Sequence, residues 1–415
     1  MKKSPVYSTM YLAFNRVLVY FFPILFFACS DNQVKSENTL TILDFEKGIQ
    51  HAMLPRLSSY CSSIEYIPLQ TDTAAVLSFI VPKRVAVTQN YLCIIDPMSK
   101  RSKLFDQHGK YIRTIGSVGK GSGEYINPSG PVIDEEKGNI LFYDSNNLII
   151  YDTAGFFIKT ISLEKFRSKG SYLDNLSWLG RDRFYLDKTK SREDIVGFLI
   201  LDMQGELLFS YEPPKKNPDE IVPYRTRTLS NGAVVMEQQD QSSYAYMYND
   251  HLHFVSATND TIFAFTPQYE KIPVYLKYWG RYKDRPDGSN KDYARLTGSF
   301  LIETDRALFF NLTFSEQKSY NKPATQKGAA IYNKTNGILS AITYDPNYDA
   351  TGLLNDLDNG APFWPERIAG NKLYQFMNAA EFIRLSEKSN SGPMRKVAAT
   401  LAEHSNPVMI VATLK

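Results

Sequence analysis

Cysteine, histidine and net charge are all scarce in this chain, and each scarcity removes a class of function. The 415 residues hold three cysteines, too few for a disulfide framework, and no pair has the spacing of a metal site. The five histidines are His51, His108, His251, His253 and His404. None lies in an H-E-x-x-H segment or at a telling distance from a cysteine, and no G-x-S-x-G elbow is present. Lys2, Lys3 and Arg16 are the charged residues among the first 28, and beyond them 44 basic side chains balance 44 acidic ones. A body without excess positive charge lacks the electrostatic footprint for binding nucleic acid, which is not expected as a partner. Near the start, Val17 to Phe27 is an apolar run of eleven residues. A transmembrane helix needs about twenty. What is plentiful is aromatic: 27 Tyr, 25 Phe and 3 Trp. Rings pack well on a pleated, half-buried surface, so the bias favours strands. An apolar fraction of 43% with 22% charged residues allows a sizeable buried core.

The first residues have the form of an export signal. A basic stretch opening on Lys2 and Lys3 leads into the apolar run, which ends in Leu25-Phe26-Phe27-Ala28-Cys29. A small residue before Cys at this place resembles the bacterial lipobox, although Phe26 stands where that pattern usually has Leu. The resemblance implies cleavage before Cys29 and acylation of its thiol. The expected organisation is a signal peptide over 1–28, a polar tether over 29–39 and one folded domain over 40–415. Ser30-Asp31-Asn32 is less acidic than the usual surface-export signal, so the periplasmic and outer faces of the outer membrane both stay open.

A repeat runs through the body. Phe105-Asp106-Gln107-His108-Gly109-Lys110-Tyr111-Ile112 matches Tyr151-Asp152-Thr153-Ala154-Gly155-Phe156-Phe157-Ile158 and Leu201-Asp202-Met203-Gln204-Gly205-Glu206-Leu207-Leu208. The glycines are 46 and 50 residues apart. An Asp carboxylate can accept the N–H two residues on, and Gly supplies the positive φ of a short bulged hairpin. Another strand pair precedes each turn, as in Ile140–Asp144 and Leu148–Asp152. Each unit therefore reads as four antiparallel strands, the blade of a propeller. At this spacing residues 60–411 make about six blades. Thr261–Phe265, Ala307–Leu312 and Ala329–Asn333 supply strands of the fourth and fifth units, and Gly337 after Asn333 is a weakened turn. Helices are expected over Asn378–Lys388 and Met394–Glu403, the second started by Pro393. Ring closure needs an N-terminal strand beside Pro407–Val411, from either Leu40–Phe45 or Ile64–Leu69.

Four stretches carry a family resemblance: Ile64-Glu65-Tyr66-Ile67-Pro68-Leu69, Gly119-Lys120-Gly121-Ser122-Gly123-Glu124-Tyr125, Leu354 to Gly360 with Phe363-Trp364-Pro365, and Asn406 to Val411. With these the chain resembles the six-bladed β-propeller lipoproteins of Bacteroides-type bacteria, distantly akin to NHL-repeat propellers. The resemblance implies the fold and the lipid anchor. It implies no activity, because fold alone does not set function.

Several segments are candidates for ligand contact, each with a structural alternative. Gly116 to Gly123 lacks the Ser or Thr and the helix of a phosphate loop, so it reads as an inter-blade loop. Its Glu124 and Tyr125 either tie blades together or line the channel mouth. Trp279 and Arg281 form an aromatic and cationic surface if exposed, or Trp279 packs inside a blade. Asn355 and Asp356 fit a calcium loop poorly and a polar Asx turn well. Trp364 is either a platform for a sugar ring or core. His251 and His253 would share one strand face and, with carboxylate help, could ligate a metal; the structural alternative, an exposed strand or loop, is preferred. Cys93 reads as a buried apolar thiol, with a Cys61–Cys93 disulfide as the alternative. No catalytic residue, metal site or cofactor is assigned. The expected function is a non-catalytic binding or scaffold protein, tethered to the membrane, for a peptide, glycan or envelope protein. The alternative is an extracytoplasmic hydrolase or lyase working at the central channel.

Overall fold

The computed structural model describes residues 40–167, 171–190, 196–212, 224–228, 234–238, 244–256, 259–283, 293–316 and 324–415. The expected signal peptide, the tether up to residue 39 and Cys29 lie outside the described residues. Six antiparallel blades form a β-propeller. Blade one is Val85–Val87, Tyr91–Ile95, Ser102–Asp106 and Tyr111–Ile115. Blade two is Ser129–Asp134, Asn139–Asp144, Asn147–Asp152 and Phe157–Ser162. Blade three is Ser171–Gly180, Arg183–Lys190, Val196–Asp202 and Leu207–Tyr211. Blade four is Tyr244–Tyr248, His251–Val255, Thr261–Phe265 and Lys271–Tyr278. Blade five is Tyr293–Glu303, Ala307–Glu316, Ala324–Asn333 and Ile338–Ala341.

Blade six closes the ring with strands from both ends of the described chain. Arg367–Ala369, Lys372–Met377 and Val408–Leu414 come from the C-terminal part. Cys61–Pro68 pairs antiparallel with the last of these, from Cys61 opposite Leu414 to Pro68 opposite Val408. Of the two candidate closing segments, the one containing Ile64 does this work. The other, Thr41–Asp44, lies parallel to Lys271–Tyr278 and adds a fifth strand to blade four. Phe45, next in sequence, is fully buried and stacks on Trp279 with ring centroids 4.2 Å apart.

Alternation along each strand explains why the sheets assemble in a ring. Successive side chains point to opposite faces. Leu92 and Ile94 of blade one pack towards blade six, with Met409 and Val411. Cys93 and Ile95 pack the other way, with Ile140 and Phe142 of blade two. The same happens between blades two and three, three and four, four and five, and five and six. Both faces of every sheet are thus apolar, and burying both requires a neighbour on each side.

The repeated turn has the geometry its residues call for. Asp106 Oδ1 accepts the His108 and Lys110 N–H groups at 2.9 Å, and Gly109 has φ +77°. A Cβ on Gly109 would lie 2.6 Å from the Pro68 carbonyl oxygen, so space as well as φ demands glycine. Asp202 Oδ1 repeats both bonds and Asp152 Oδ1 the second, from Phe156 N, and each is followed by a register shift in its hairpin. Blade four hides a fourth copy. Thr266 Oγ1 takes the place of the carboxylate, accepting from Glu270 N at 3.1 Å, and Tyr269 occupies the glycine position at φ +66°. The Tyr269 ring stacks on Phe209 of blade three at 4.6 Å, which offsets the roughly 1 kcal/mol cost of that backbone for an L-residue.

The two helices sit between the second and third strands of blade six, at Ala379–Lys388 and Gly392–Ala398. The second begins and ends earlier than expected, because Ser391 Oγ accepts Met394 N at 3.0 Å and so sets the start. Phe382, Leu385 and Met394 bury these helices against the core between blades five and six. Cys61 and Cys93 are both buried and free, in different blades. Burial pushes each thiol up to about 12.

Candidate functional site: the central channel

The first strand of each blade faces the axis, and together these six strands enclose a channel of about 570 Å³. Most of the wall is aliphatic and aromatic, with Val81, Val87, Ile368, Trp178 and Tyr246 giving it exposed surface. Charge is confined to one end. Lys83 and Arg84, in the short turn before blade one, meet Glu366 and Arg367, at the entry to blade six. Arg367 donates from Nε to the Val85 carbonyl at 3.2 Å and from Nη1 to the Glu366 carbonyl at 2.8 Å. Arg84 donates from Nη2 to Asn127 Oδ1 at 3.4 Å, while its Nη1 is buried and has no hydrogen-bond partner among the described residues.

Glu366 Oε2 accepts the Phe376 N–H at 3.2 Å. Burial raises this carboxyl to about 7, against the lowering effects of that N–H and of the Arg367 charge. Burial also lowers Arg367 to about 9, with Glu366 opposing. Both side chains are half-buried: water inside the channel reaches them, yet they lie deep in the fold.

The opposite mouth widens into a second cavity of about 550 Å³, lined by the first hairpin turns of blades four, five and six. Ile368 lines both spaces. In the wall here Glu303, whose side chain is fully buried, draws four groups to one carboxylate. Tyr246 and Tyr275 donate hydroxyls at 2.7 and 2.6 Å, the Lys334 ammonium lies at 2.6 Å, and His253 Nδ1 lies at 3.1 Å. Burial raises Glu303, but His253 and then Lys334 outweigh it and hold the carboxyl at about 2. Lys334 also rests over the Tyr248 ring, 3.9 Å from its centroid. His253 is therefore tied to a carboxylate across the blade four–five boundary. His251, two residues away, instead holds the Asn249 carbonyl through Nδ1 at 2.7 Å.

The residues singled out from sequence lie away from the channel wall. Tyr125 is fully buried; its hydroxyl donates to Ile115 O at 2.8 Å and accepts from Ser102 N at 3.1 Å, fastening the loop to blade one. Glu124 Oε2 accepts Gly121 N at 2.7 Å, and a Cβ on Gly119 would fall 2.0 Å from that oxygen. Trp279 is buried against Phe45, and the exposed Arg281 leans on the Tyr282 ring. Asn355 is buried and donates to Asp358 Oδ1 at 2.7 Å and to the Tyr66 hydroxyl at 3.1 Å. Asp356 accepts the Ser58 N–H at 2.9 Å and its hydroxyl at 2.6 Å. Trp364, partly buried, donates from Nε1 to Asn311 Oδ1 at 2.7 Å. Glu124 and Tyr125 are adjacent, as are Asn355 and Asp356, and Trp279 and Arg281 are two residues apart. Sequence reading missed Lys83, Arg84, Glu303, Glu366 and Arg367. The only local signal was a pair of ionisable residues at the entry to a short strand, Lys83-Arg84 before Val85 and Glu366-Arg367 with Arg367 as the first strand residue.

A family profile described as a domain of unknown function, DUF4934, matches residues 40–413. The chain belongs to the DUF4934 family. Curated proteins give no match to it. Among solved structures, this DUF4934 chain is similar to a Bacteroides fragilis protein described as exported, with a TM-score of 0.63 at 14% identity, covering 90% of this chain and 100% of that one. A DUF4221-family member from Bacteroides vulgatus gives a TM-score of 0.47 at 11% identity over 88% of this chain and 98% of its own. Catalytically inactive virginiamycin B lyase from Staphylococcus aureus gives 0.38 at 11% identity over 85% and 100%. The first likeness bears on fold; the other two carry no argument.

Proposed function

We propose that this DUF4934 protein is a lipid-anchored, extracytoplasmic binding protein whose ligand site is the central channel. The observation that carries the reading is the channel itself: a preformed space of about 570 Å³ with largely apolar walls and its charged groups gathered at one end. Ligand sites generally have that size and that distribution of polarity. The Glu303 carboxylate at the far mouth serves the fold, since its side chain is fully buried. Both its oxygens are engaged by cationic and hydroxyl donors, which hold it as an ion rather than as an acid poised to give up a proton. Export is supported by the N-terminal run ending at Cys29 and by the exported relative with the same fold. The envelope placement, with a peptide or glycan as ligand, is part of the proposal.

Trp178 in the channel wall makes the reading measurable. Titrating the purified protein with short peptides and with oligosaccharides is expected to give saturable quenching from one class, lost in Trp178→Phe, with the ligand recovered intact by mass spectrometry. Cleaved ligand would move the protein to the hydrolase or lyase reading. Cys29→Ser is expected to abolish incorporation of radiolabelled fatty acid and to release the protein from membranes. Unchanged labelling would remove the anchor.

A further inference from the structure

We infer that the charged end of the channel is an anion subsite, taking the carboxylate of a small ligand whose apolar body lies along the aromatic wall. The inference rests on the channel being a ligand site and adds the chemical class of what enters it. Three cationic side chains, Lys83, Arg84 and Arg367, line that end against the single acid Glu366. Arg84 Nη1 is the decisive atom. Arg84 lines the space, and its Nη1, a guanidinium donor, is shielded from solvent with no hydrogen-bond partner among the described residues. A buried donor left unmatched costs about 1–3 kcal/mol and more when charged, so a ligand carboxylate that draws the half-buried Arg84 side chain towards the channel gives this nitrogen the acceptor it lacks.

The neighbouring groups point the same way. Asn127 Oδ1 accepts from Arg84 Nη2 alone. The Arg367 guanidinium reaches the Val85 carbonyl, one residue beyond Arg84, so the two cationic groups approach each other across the ring closure. Glu366, the one acid, holds its proton to near neutrality and offsets the cations only in part. Behind this end Trp178 and Tyr246, both part-exposed, offer ring surface, and Val81, Val87 and Ile368 offer aliphatic surface. A carboxylate on an aromatic or acyl body matches both halves: charge-assisted bonds to guanidinium at one end and apolar burial at the other.

The test uses three probes of one shape, para-fluorobenzoate, para-fluorobenzamide and para-fluorobenzylamine, titrated into the purified protein by fluorine NMR. Occupancy of the channel is read independently from Trp178 fluorescence. The benzoate is expected to bind at least about tenfold tighter than the amide or the amine, as one charge-assisted hydrogen bond implies. Arg84→Gln is expected to remove that preference, and Arg84→Lys to restore part of it. Lys83→Gln changes an exposed side chain and serves if the Arg84 variants fold poorly; it is expected to weaken benzoate about threefold or more and leave the amide unchanged. Equal binding of benzoate and benzamide with a Trp178 response would overturn the anion subsite while leaving the channel as a binding site. Benzoate affinity indifferent to both Arg84→Gln and Lys83→Gln would do the same. If no probe perturbs Trp178, the anion subsite and the channel reading fall together.

Discussion

Glu303→Ala is expected to lower the unfolding free energy at neutral pH by about 3–5 kcal/mol, the cost of removing one partner from a buried ionic network. The carboxylate takes two tyrosine hydroxyls, from Tyr246 and Tyr275, and the Lys334 ammonium, so the truncation strands three donors and His253 together. Glu303→Gln keeps the shape and removes the charge, and a smaller loss is expected. The pH dependence separates charge from packing. The folded carboxyl sits at about 2 against an ordinary 4.5, so its contribution is fully present above about 4.5 and is lost as pH falls towards 2. A shift of that size corresponds to about 3 kcal/mol. Urea unfolding at pH 7 and at pH 3 should therefore show the wild-type advantage over Glu303→Gln narrowing on acidification. An advantage equal at both pH values would mean the network is held by shape and not by charge.

Glu366→Gln is expected to act with the opposite sign. This carboxyl is raised from 4.5 to about 7, chiefly by burial, so the folded state binds a proton that the unfolded chain gives up. Wild-type stability should fall as pH rises from about 4.5 to 7 and stay lowered above that. Gln carries no such penalty and can still accept the Phe376 N–H. Allowing for water in the channel and for the lost attraction to Arg367, the variant should be more stable than wild type by about 2 kcal/mol at pH 8. At pH 4 the two should be equal. A variant less stable than wild type at pH 8 would show that the charged form, paired with Arg367, is the one the fold favours. The two buried acids thus predict opposite slopes from one physical rule, with partners deciding the sign.

Much of the propeller was legible because its signals are local. The Asp-x-x-Gly turn is specified within five residues by a carboxylate reaching backbone N–H groups and by a glycine at positive φ, as at Asp106 and Gly109. Its period therefore counted the blades. The fourth copy escaped notice because Thr266 and Tyr269 reach the same backbone with different chemistry, and the compensation for Tyr269 is Phe209 in another blade. The segment Tyr278 to Lys283 was ambiguous for a similar reason: an aromatic beside cations reads as a surface until Phe45 is seen to cover Trp279.

The candidate site was not legible, and the cause is distance along the chain. Arg367 meets Val85 across 282 residues, and Tyr246 meets Glu303 across 57. No spacing rule links such pairs, because each depends on the ring closing at the right blade count. From its own residues the chain determined the strand alternation, the turn geometry and the repeat, all of which act over a few bonds. The tertiary structure alone decided which carboxylate is stripped of its proton and which keeps it, and where a guanidinium is left without an acceptor. Those properties come from burial and from partners, and both exist only once six sheets stand around one axis.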